Sequence, residues 1–299
     1  MCVLFGEGLR MRTVCVLGLM LVGLQLATGT LLIGAFNIQT LGPSKMSKPV
    51  VVQIIVNIIR RYDVLVVQEV RDKDESVTNE LMNKVNEGLT DPYYYTVSEA
   101  LGMSSYKERY LFIYRSSKVT VIQHKQYPYG SGNDAFSRPP YAVKFSNIRS
   151  ATAATEFVLV PQHTSPSKAV EEINALYYIF PNVQTSFSTN TILLLGDFNA
   201  GCSYVTTTDW PKILLHADPT FTWLIPDSAD TTVSDTVCPY DRIVATATMM
   251  KYVDPHSAQV FNFRAAYGLD QSLVRTFKLS TCVPGGRGER KKKKPHLVK

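Results

Sequence analysis

The sequence predicts a mixed α/β domain in which sheets lie against flanking helices. Three observations predict it. Short apolar runs end in polar groups at Gly34-Ala35-Phe36-Asn37, Val64-Leu65-Val66-Val67-Gln68-Glu69, Phe157-Val158-Leu159-Val160-Pro161-Gln162-His163 and Ile192-Leu193-Leu194-Leu195-Gly196-Asp197-Phe198-Asn199, as strands buried on both faces do. Between them lie stretches with apolar residues every three or four positions, the period of a helix packed on one face. The two kinds do not alternate strictly, so layered sheets are expected rather than a simple βαβ array.

The elements follow in order along the chain. Leu31 to Asn37 reads as a first strand. Val50 to Arg61 sets Val51, Ile54, Ile55, Ile58 and Ile59 on one helical face. Val64 to Val67 is wholly apolar, whereas Val77, Leu81, Val85 and Leu89 are spaced by four and mark a second amphipathic helix. Strands are expected at Tyr93–Val97, Tyr110–Tyr114, Val119–Gln123, Ala142–Phe145 and Glu156–Val160. A helix is expected from Lys168 to Tyr178, a strand over Thr191–Leu195, a short helix around Trp210–Leu215 and a strand over Arg242–Ala245. Tyr127 to Pro140, rich in Gly, Ser, Asn, Asp and Pro, reads as a surface loop.

The extremities differ from the middle. At 299 residues, 45% hydrophobic and 19% charged, the chain has ample core for one large domain, placed at residues 30–284. Residues 1–29 carry Arg10 and Arg12, then an apolar stretch from Val14 to Leu24, then Ala27-Thr28-Gly29. That is the layout of a secretory signal peptide. The alternative is a short membrane anchor, and the stretch falls below the roughly 20 residues a span requires. A secreted protein, off the membrane once the signal is removed, is the expectation. Residues 285–299 hold seven Lys and Arg side chains against Glu289, which equals the +6 of the whole chain. The body is therefore near neutral, and the tail is either a polyanion-binding extension or a solvated terminus. Cys2 and Cys15 fall within the signal, leaving Cys202, Cys238 and Cys282. In an oxidising compartment a Cys202–Cys238 bridge is the natural pairing.

Asn37, Glu69, Glu108, His163, Asp197, Asn199 and Asp241 lie at strand ends or nearby loops. Hydrolysis of a phosphodiester needs charge neutralised on the phosphoryl oxygens, a proton taken from water and a proton given to the leaving oxygen. Carboxylates with carboxamides suit a hard cation. A His oriented by a carboxylate suits proton transfer, and Arg71 suits a phosphate. Taken singly, each residue has a plain structural reading as a turn former or a satisfied core group.

Several longer stretches are more specific. They are Ala35-Phe36-Asn37-Ile38-Gln39-Thr40, Tyr62-Asp63-Val64 through Gln68-Glu69-Val70-Arg71-Asp72, Ser105-Tyr106-Lys107-Glu108-Arg109-Tyr110, Gly196-Asp197-Phe198-Asn199-Ala200-Gly201-Cys202-Ser203-Tyr204, Trp223 to Thr232, and Tyr240-Asp241-Arg242-Ile243-Val244. From about Leu31 to about Leu273 the chain resembles the deoxyribonuclease I family of the endonuclease/exonuclease/phosphatase superfamily. The resemblance implies a four-layer α/β/β/α sandwich that cuts double-stranded DNA with Mg²⁺ or Mn²⁺ and binds structural Ca²⁺. It implies Glu69 as a metal ligand with Asn37, Asp197 and Asn199 beside it. His163, paired to Glu108, would protonate the leaving oxygen, and Asp241 would orient a second catalytic His. Arg71, Tyr106 and Arg138 would contact DNA. Asp230, Thr232 and Thr236 match a calcium site, and Cys202–Cys238 matches the family's larger disulfide. Some members bind monomeric actin; Tyr95 and Val97 match that contact, while Tyr141 replaces a small residue. A monomer is expected.

The chain departs from the family twice. Tyr129 to Asp134 lacks the cysteines of a small disulfide loop, leaving only Asp134 of its calcium site. After Ala265-Ala266-Tyr267-Gly268-Leu269, the family's Ser-Asp-His element and final core strand are replaced by Arg275-Thr276-Phe277-Lys278-Leu279-Ser280-Thr281-Cys282 and the basic tail. A nuclease with impaired activity is expected; a non-catalytic DNA- or actin-binding relative is the alternative.

Overall fold

The alternation of side chains along each central strand creates the layers. In the computed structural model, which describes residues 31–129, 135–147, 154–233 and 235–276, strand β2 (Val64–Val70) sends Leu65 and Val67 into one apolar cluster and Val64 and Val66 into another. Strand β8 (Ile192–Asp197) likewise divides Ile192 and Leu194 from Leu193 and Leu195. Successive strand side chains point to opposite faces, so a strand apolar throughout must be covered on both sides.

The first sheet has the order β1-β2-β4-β3, built from β1 (Ile33–Leu41), β2, β3 (Tyr93–Val97) and β4 (Arg109–Arg115). The second has the order β5-β6-β7-β8-β10-β9, built from β5 (Val119–Gln126), β6 (Tyr141–Asn147), β7 (Glu156–Pro161), β8, β9 (Phe221–Trp223) and β10 (Asp241–Thr246). β1 pairs with β2 and β7 with β8 in parallel. The sheets meet through Val64, Val66, Phe112, Phe145, Leu159 and Leu195.

Helices cover the outer faces. After α1 (Pro43–Met46), α2 (Pro49–Ile59) starts with Pro at its first position, where a missing N–H costs nothing. It buries Val51, Ile54, Ile55, Ile58 and Ile59 on the first sheet, beside Val77, Leu81 and Val85 of α3 (Ser76–Asn86). Each such side chain contributes roughly 1.5–3 kcal/mol when fully buried. The long helix α4 (Ala169–Phe187) covers the second sheet with Ile173, Leu176, Ile179, Val183 and Phe187. These layers form the four-layer sandwich expected from the resemblance.

The structure corrects the sequence reading in places. Helix α4 runs past Tyr178 and through Pro181. Pro181 removes one backbone bond, but burial of Val183 and Phe187 beyond it keeps the helix going. β1 continues beyond Asn37 to Leu41, with left-handed Gln39 and Thr40. The three-residue β9 and the short helices α6 (Phe263–Ala266) and α7 (Gln271–Thr276) carried little periodicity to read, whereas the short helix expected around Trp210–Leu215 is present as a single turn at Trp210–Lys212 followed by α5 (Leu214–Ala217). Cys202 and Cys238 are disulfide-bonded with Cα atoms 5.9 Å apart. Closing a loop of that length stabilises by about 4 kcal/mol in the chain-entropy account. The signal at 1–29, Asp134, Cys282 and the tail at 285–299 lie outside the described residues.

Candidate active site

Two irregularities carry the key carboxylate and its neighbours. The β1–β2 register runs from Ile33↔Val64 to Asn37↔Gln68 and then shifts before Leu41↔Val70. At the shift Glu69 takes a left-handed conformation, φ 59°. An L-residue adopts that conformation only where its surroundings enforce it. Here Glu69 Oε2 accepts the Thr40 N–H at 3.0 Å, and Oε1 accepts Asn37 Nδ2 at 3.0 Å. Asn37 Nδ2 also donates to Asp197 Oδ2 at 3.1 Å. One amide thus brings carboxylates from the two sheets together.

The Asn37 Oδ1 accepts the Gln39 N–H at 2.8 Å, and the amide nitrogen faces the carboxylates. Asn37 thereby aligns Glu69 and Asp197. Asn199, left-handed at φ 47°, donates its N–H to Asp197 Oδ1 at 3.0 Å and its Nδ2 to the Thr164 carbonyl at 3.1 Å.

His163 completes the cluster. Its Nδ1 donates to Glu108 Oε2 at 2.8 Å, while Nε2 lies 3.9 Å from Glu69 Oε1 and 4.0 Å from Asp197 Oδ2. Both His163 and Glu108 are buried. Burial pushes the Glu108 carboxyl up, but His163 and Arg138 overcome it and hold the pKa at about 2. Burial and then Arg138 depress the His163 imidazole; Glu108 and Asp197 reverse this, and its pKa is raised. The result is a hydrogen-bonded dyad with Nε2 turned to the carboxylates.

Polar groups that carried no signal in the sequence hold this geometry. Gln68 spans the sheets: its Oε1 accepts the Asp197 N–H at 2.9 Å and its Nε2 donates to the Gln162 carbonyl at 2.7 Å. Gly196 must be glycine beneath it, since φ is 135° and an added Cβ would lie 2.5 Å from Gln68 Nε2. Buried Glu172 on α4 accepts from Ser137 Oγ at 2.7 Å, Gln162 Nε2 at 3.0 Å and the Ser165 N–H at 3.2 Å. Desolvation pushes its pKa up. The buried Lys45 ammonium donates to the Ile38 and Gln39 carbonyls at 2.5 and 2.6 Å, fixing the segment that presents Thr40 to Glu69. Arg242, opposite Gly196 in the β8–β10 register, donates to the Ile225 and Ala200 carbonyls at 2.8 and 2.7 Å. A buried polar residue looks like any other in a sequence; only its hydrogen bonds identify it.

Other expected residues fall into three groups. Arg71 stacks on the Tyr106 ring with Cζ 3.7 Å from its centroid, and the half-exposed Tyr106 lines the cleft. Arg138 also lines the cleft, but its Nη1 is held by Glu108 Oε1 at 2.7 Å and its Nε by the His163 carbonyl at 2.9 Å. It positions the dyad. Asp230, Thr232 and Thr236 do meet: the Thr232 N–H donates to Asp230 Oδ1 at 3.0 Å, and the Thr232 hydroxyl lies within donating distance of both Asp230 Oδ1, 3.0 Å, and the Thr236 carbonyl, 2.6 Å. Asp241 stands opposite Asp197 in the β8–β10 register but lines a second, separate cleft. Among the described residues, His163 is the one histidine that lines the cleft with Glu69.

This cleft, about 200 Å³, is bounded by Glu69, Tyr106, Glu108, His163, Asp197 and Asn199 among others. Residues 34–258 match the model of the endonuclease/exonuclease/phosphatase family. The chain is 47% identical to deoxyribonuclease-1 of Bos taurus over 268 residues, which cover 86% of this chain and 94% of that protein. It belongs to the deoxyribonuclease I family. Deoxyribonuclease-1 of Homo sapiens is 46% identical over 269 residues, covering 86% of this chain and 95% of that protein. A mannosyl-6-phosphatase of Bacteroides thetaiotaomicron has the same fold, with TM-score 0.51 at 13% identity over 73% of this chain and 85% of that one.

Among the described residues no group of three or more His, Cys, Asp or Glu forms a ready metal cage. The donors in the cleft nevertheless fit a hard divalent cation. Two carboxylates on rigid strand ends, Glu69 and Asp197, converge through Asn37. Such a cation is bound by one or two carboxylates and keeps several waters.

Proposed function

We propose that this chain is a secreted endonuclease that hydrolyses phosphodiester bonds of double-stranded DNA with Mg²⁺ or Mn²⁺. The single observation that carries the reading is the position of His163. Its Nε2 is about equidistant from Glu69 and Asp197, and its Nδ1 is held by Glu108. The names of the curated relatives support DNA as the substrate. Among the described residues no helix is long and apolar enough to cross a membrane. Residues 1–29 would be the removed signal, 30–284 the nuclease domain and 285–299 a basic extension.

Glu69 and Asp197, with Asn199 beside them, would hold the divalent ion, which supplies positive charge to the phosphoryl oxygens. His163 holds a proton at Nε2 and gives it to the oxygen that leaves phosphorus. Glu108 favours the protonated imidazole and keeps it correctly turned, and Arg138 holds Glu108. Arg71 and Tyr106 border the cleft where the strand's phosphates and groove edge would rest. Asp230, Thr232 and Thr236 would hold Ca²⁺ away from the chemistry.

The proposed enzyme is slow. Asp241 lines another cleft, and among the described residues the active-site cleft has one imidazole. Without a second acid–base group the rate is expected to fall about 10²- to 10⁴-fold below that of a site with both. Incubating the purified full chain with supercoiled plasmid, Mg²⁺ and Ca²⁺ tests the reading. Slow conversion to nicked circles, stopped by EDTA, is expected; DNA binding with no nicking after prolonged incubation would overturn it.

A further inference from the structure

Glu172 is a fully buried carboxylate that the proposed chemistry does not use. It sits in the first turn of α4 and is not among the residues that line the active-site cleft. Three donors converge on it. Its Oε1 accepts the Ser137 hydroxyl at 2.7 Å and the Ser165 N–H at 3.2 Å, and its Oε2 accepts Gln162 Nε2 at 3.0 Å. Each donor adjoins the dyad: Ser137 precedes Arg138, Gln162 precedes His163, and Ser165 follows His163 by two residues. The Tyr110 hydroxyl ties the same two segments together, donating to the Arg138 carbonyl at 3.2 Å and accepting the His163 N–H at 2.9 Å. Arg138 then reaches the His163 carbonyl through Nε at 2.9 Å and Glu108 through Nη1 at 2.7 Å.

We propose that Glu172 is a positioning residue for the proton donor: by fixing Ser137, Gln162 and Ser165 it sets the place of Arg138 and His163, and through them the Glu108–His163 contact. This role deepens the nuclease reading and rests on His163 as the group that protonates the leaving oxygen. The site calls for a carboxylate. An ionised carboxylate only accepts, so it satisfies all three donors at once. Burial raises the Glu172 pKa, and the bonds from Ser137 and Ser165 oppose the rise, as does the Arg138 charge. A carboxamide at position 172 would aim its own N–H groups either at the Ser137 and Ser165 donors or at Gln162 Nε2. Relief of the second clash requires the Gln162 amide to turn over. Its oxygen would then face the His163 and Arg138 carbonyls, which lie 3.3 and 3.5 Å from the nitrogen it replaces. Those oxygens repel, and the segments that carry Arg138 and His163 must shift. Displacing a catalytic group by about 1 Å costs up to about 10²-fold in rate.

Nuclear magnetic resonance of the full chain, labelled at its histidine nitrogens, tests it beside nicking kinetics. The His163 Nδ1–H held by Glu108 should give a low-field proton resonance, assigned by its absence from His163→Ala. Glu172→Gln should shift or broaden that resonance. It should also lower kcat for plasmid nicking about 10- to 100-fold and leave KM within about twofold. In the His163→Ala background the same change should cost less than about twofold, because both substitutions act through one group. Should Glu172→Gln fail to fold, Ser137→Ala deletes a single donor and is read in its place, with a smaller shift of the same resonance expected. An unmoved resonance in the folded variant would overturn the proposal, whether or not the chain nicks DNA. So would an equal loss of kcat with and without His163. Absence of nicking by the unaltered chain would overturn the nuclease reading alone, and the resonance would still decide the role of Glu172.

Discussion

His163→Ala is expected to reduce plasmid nicking by about 10²- to 10⁴-fold while leaving DNA retention in a gel-shift assay nearly unchanged. The imidazole is the one group in the cleft that meets three requirements together. Its pKa is raised because Glu108 and Asp197 outweigh burial and Arg138, which favours the protonated form. Its Nε2 faces Glu69 and Asp197 at 3.9 and 4.0 Å. It is fixed by the Glu108 contact at 2.8 Å and by its own N–H, which the buried Tyr110 hydroxyl accepts at 2.9 Å. Because the group acts on the leaving oxygen, its loss should appear in kcat far more than in KM. Unchanged kcat would remove His163 from the chemistry.

The second large effect falls on stability. Glu108→Gln should destabilise the fold at neutral pH by on the order of 3 kcal/mol and flatten the acid side of its stability curve. The folded pKa of Glu108, about 2, lies below its ordinary 4.5. The carboxylate therefore stabilises the fold fully above pH 4.5 and loses that contribution as pH falls towards 2. His163 has the opposite sign: its raised pKa stabilises below the ordinary 6.5, and that is lost as pH rises through the folded value. A neutral amide at position 108 weakens both and leaves the Arg138 cation underpaired, an error that buried sites tolerate poorly. Urea unfolding at pH 7, 4.5 and 2.5 measures the difference. Equal acid slopes for the two proteins would contradict this account of the dyad.

The layered fold was largely legible because fully apolar strands such as Val64–Val67 admit one explanation, cover on both faces. Individual ends were less legible. β1 runs on through left-handed Gln39 and Thr40, which Lys45 and Glu69 hold from a distance. The members of the site were visible as residue types at strand ends, but their pairing was not. Residues 108 and 163 are fifty-five positions apart, and no local period links them; family resemblance supplied that pairing. The contacts that orient two of these residues were not legible. Asn37 lies among the carboxylates with its oxygen on the Gln39 N–H. Arg138 lies in the cleft, where Glu108 and the His163 carbonyl hold it. Gln68, Glu172 and Arg242 were missed because burial makes them important, and burial of a polar residue is decided by distant partners.

The central claim is that Glu69 and Asp197 hold a divalent ion beside a proton-donating His163. Titrating Mn²⁺ into the full chain and following the relaxation of water protons tests it most directly, with Glu69→Gln and His163→Ala measured in parallel. Glu69→Gln is expected to weaken ion binding by at least about tenfold and to abolish nicking, whereas His163→Ala should retain the ion and lose only the nicking. Unchanged Mn²⁺ affinity in Glu69→Gln would contradict the claim.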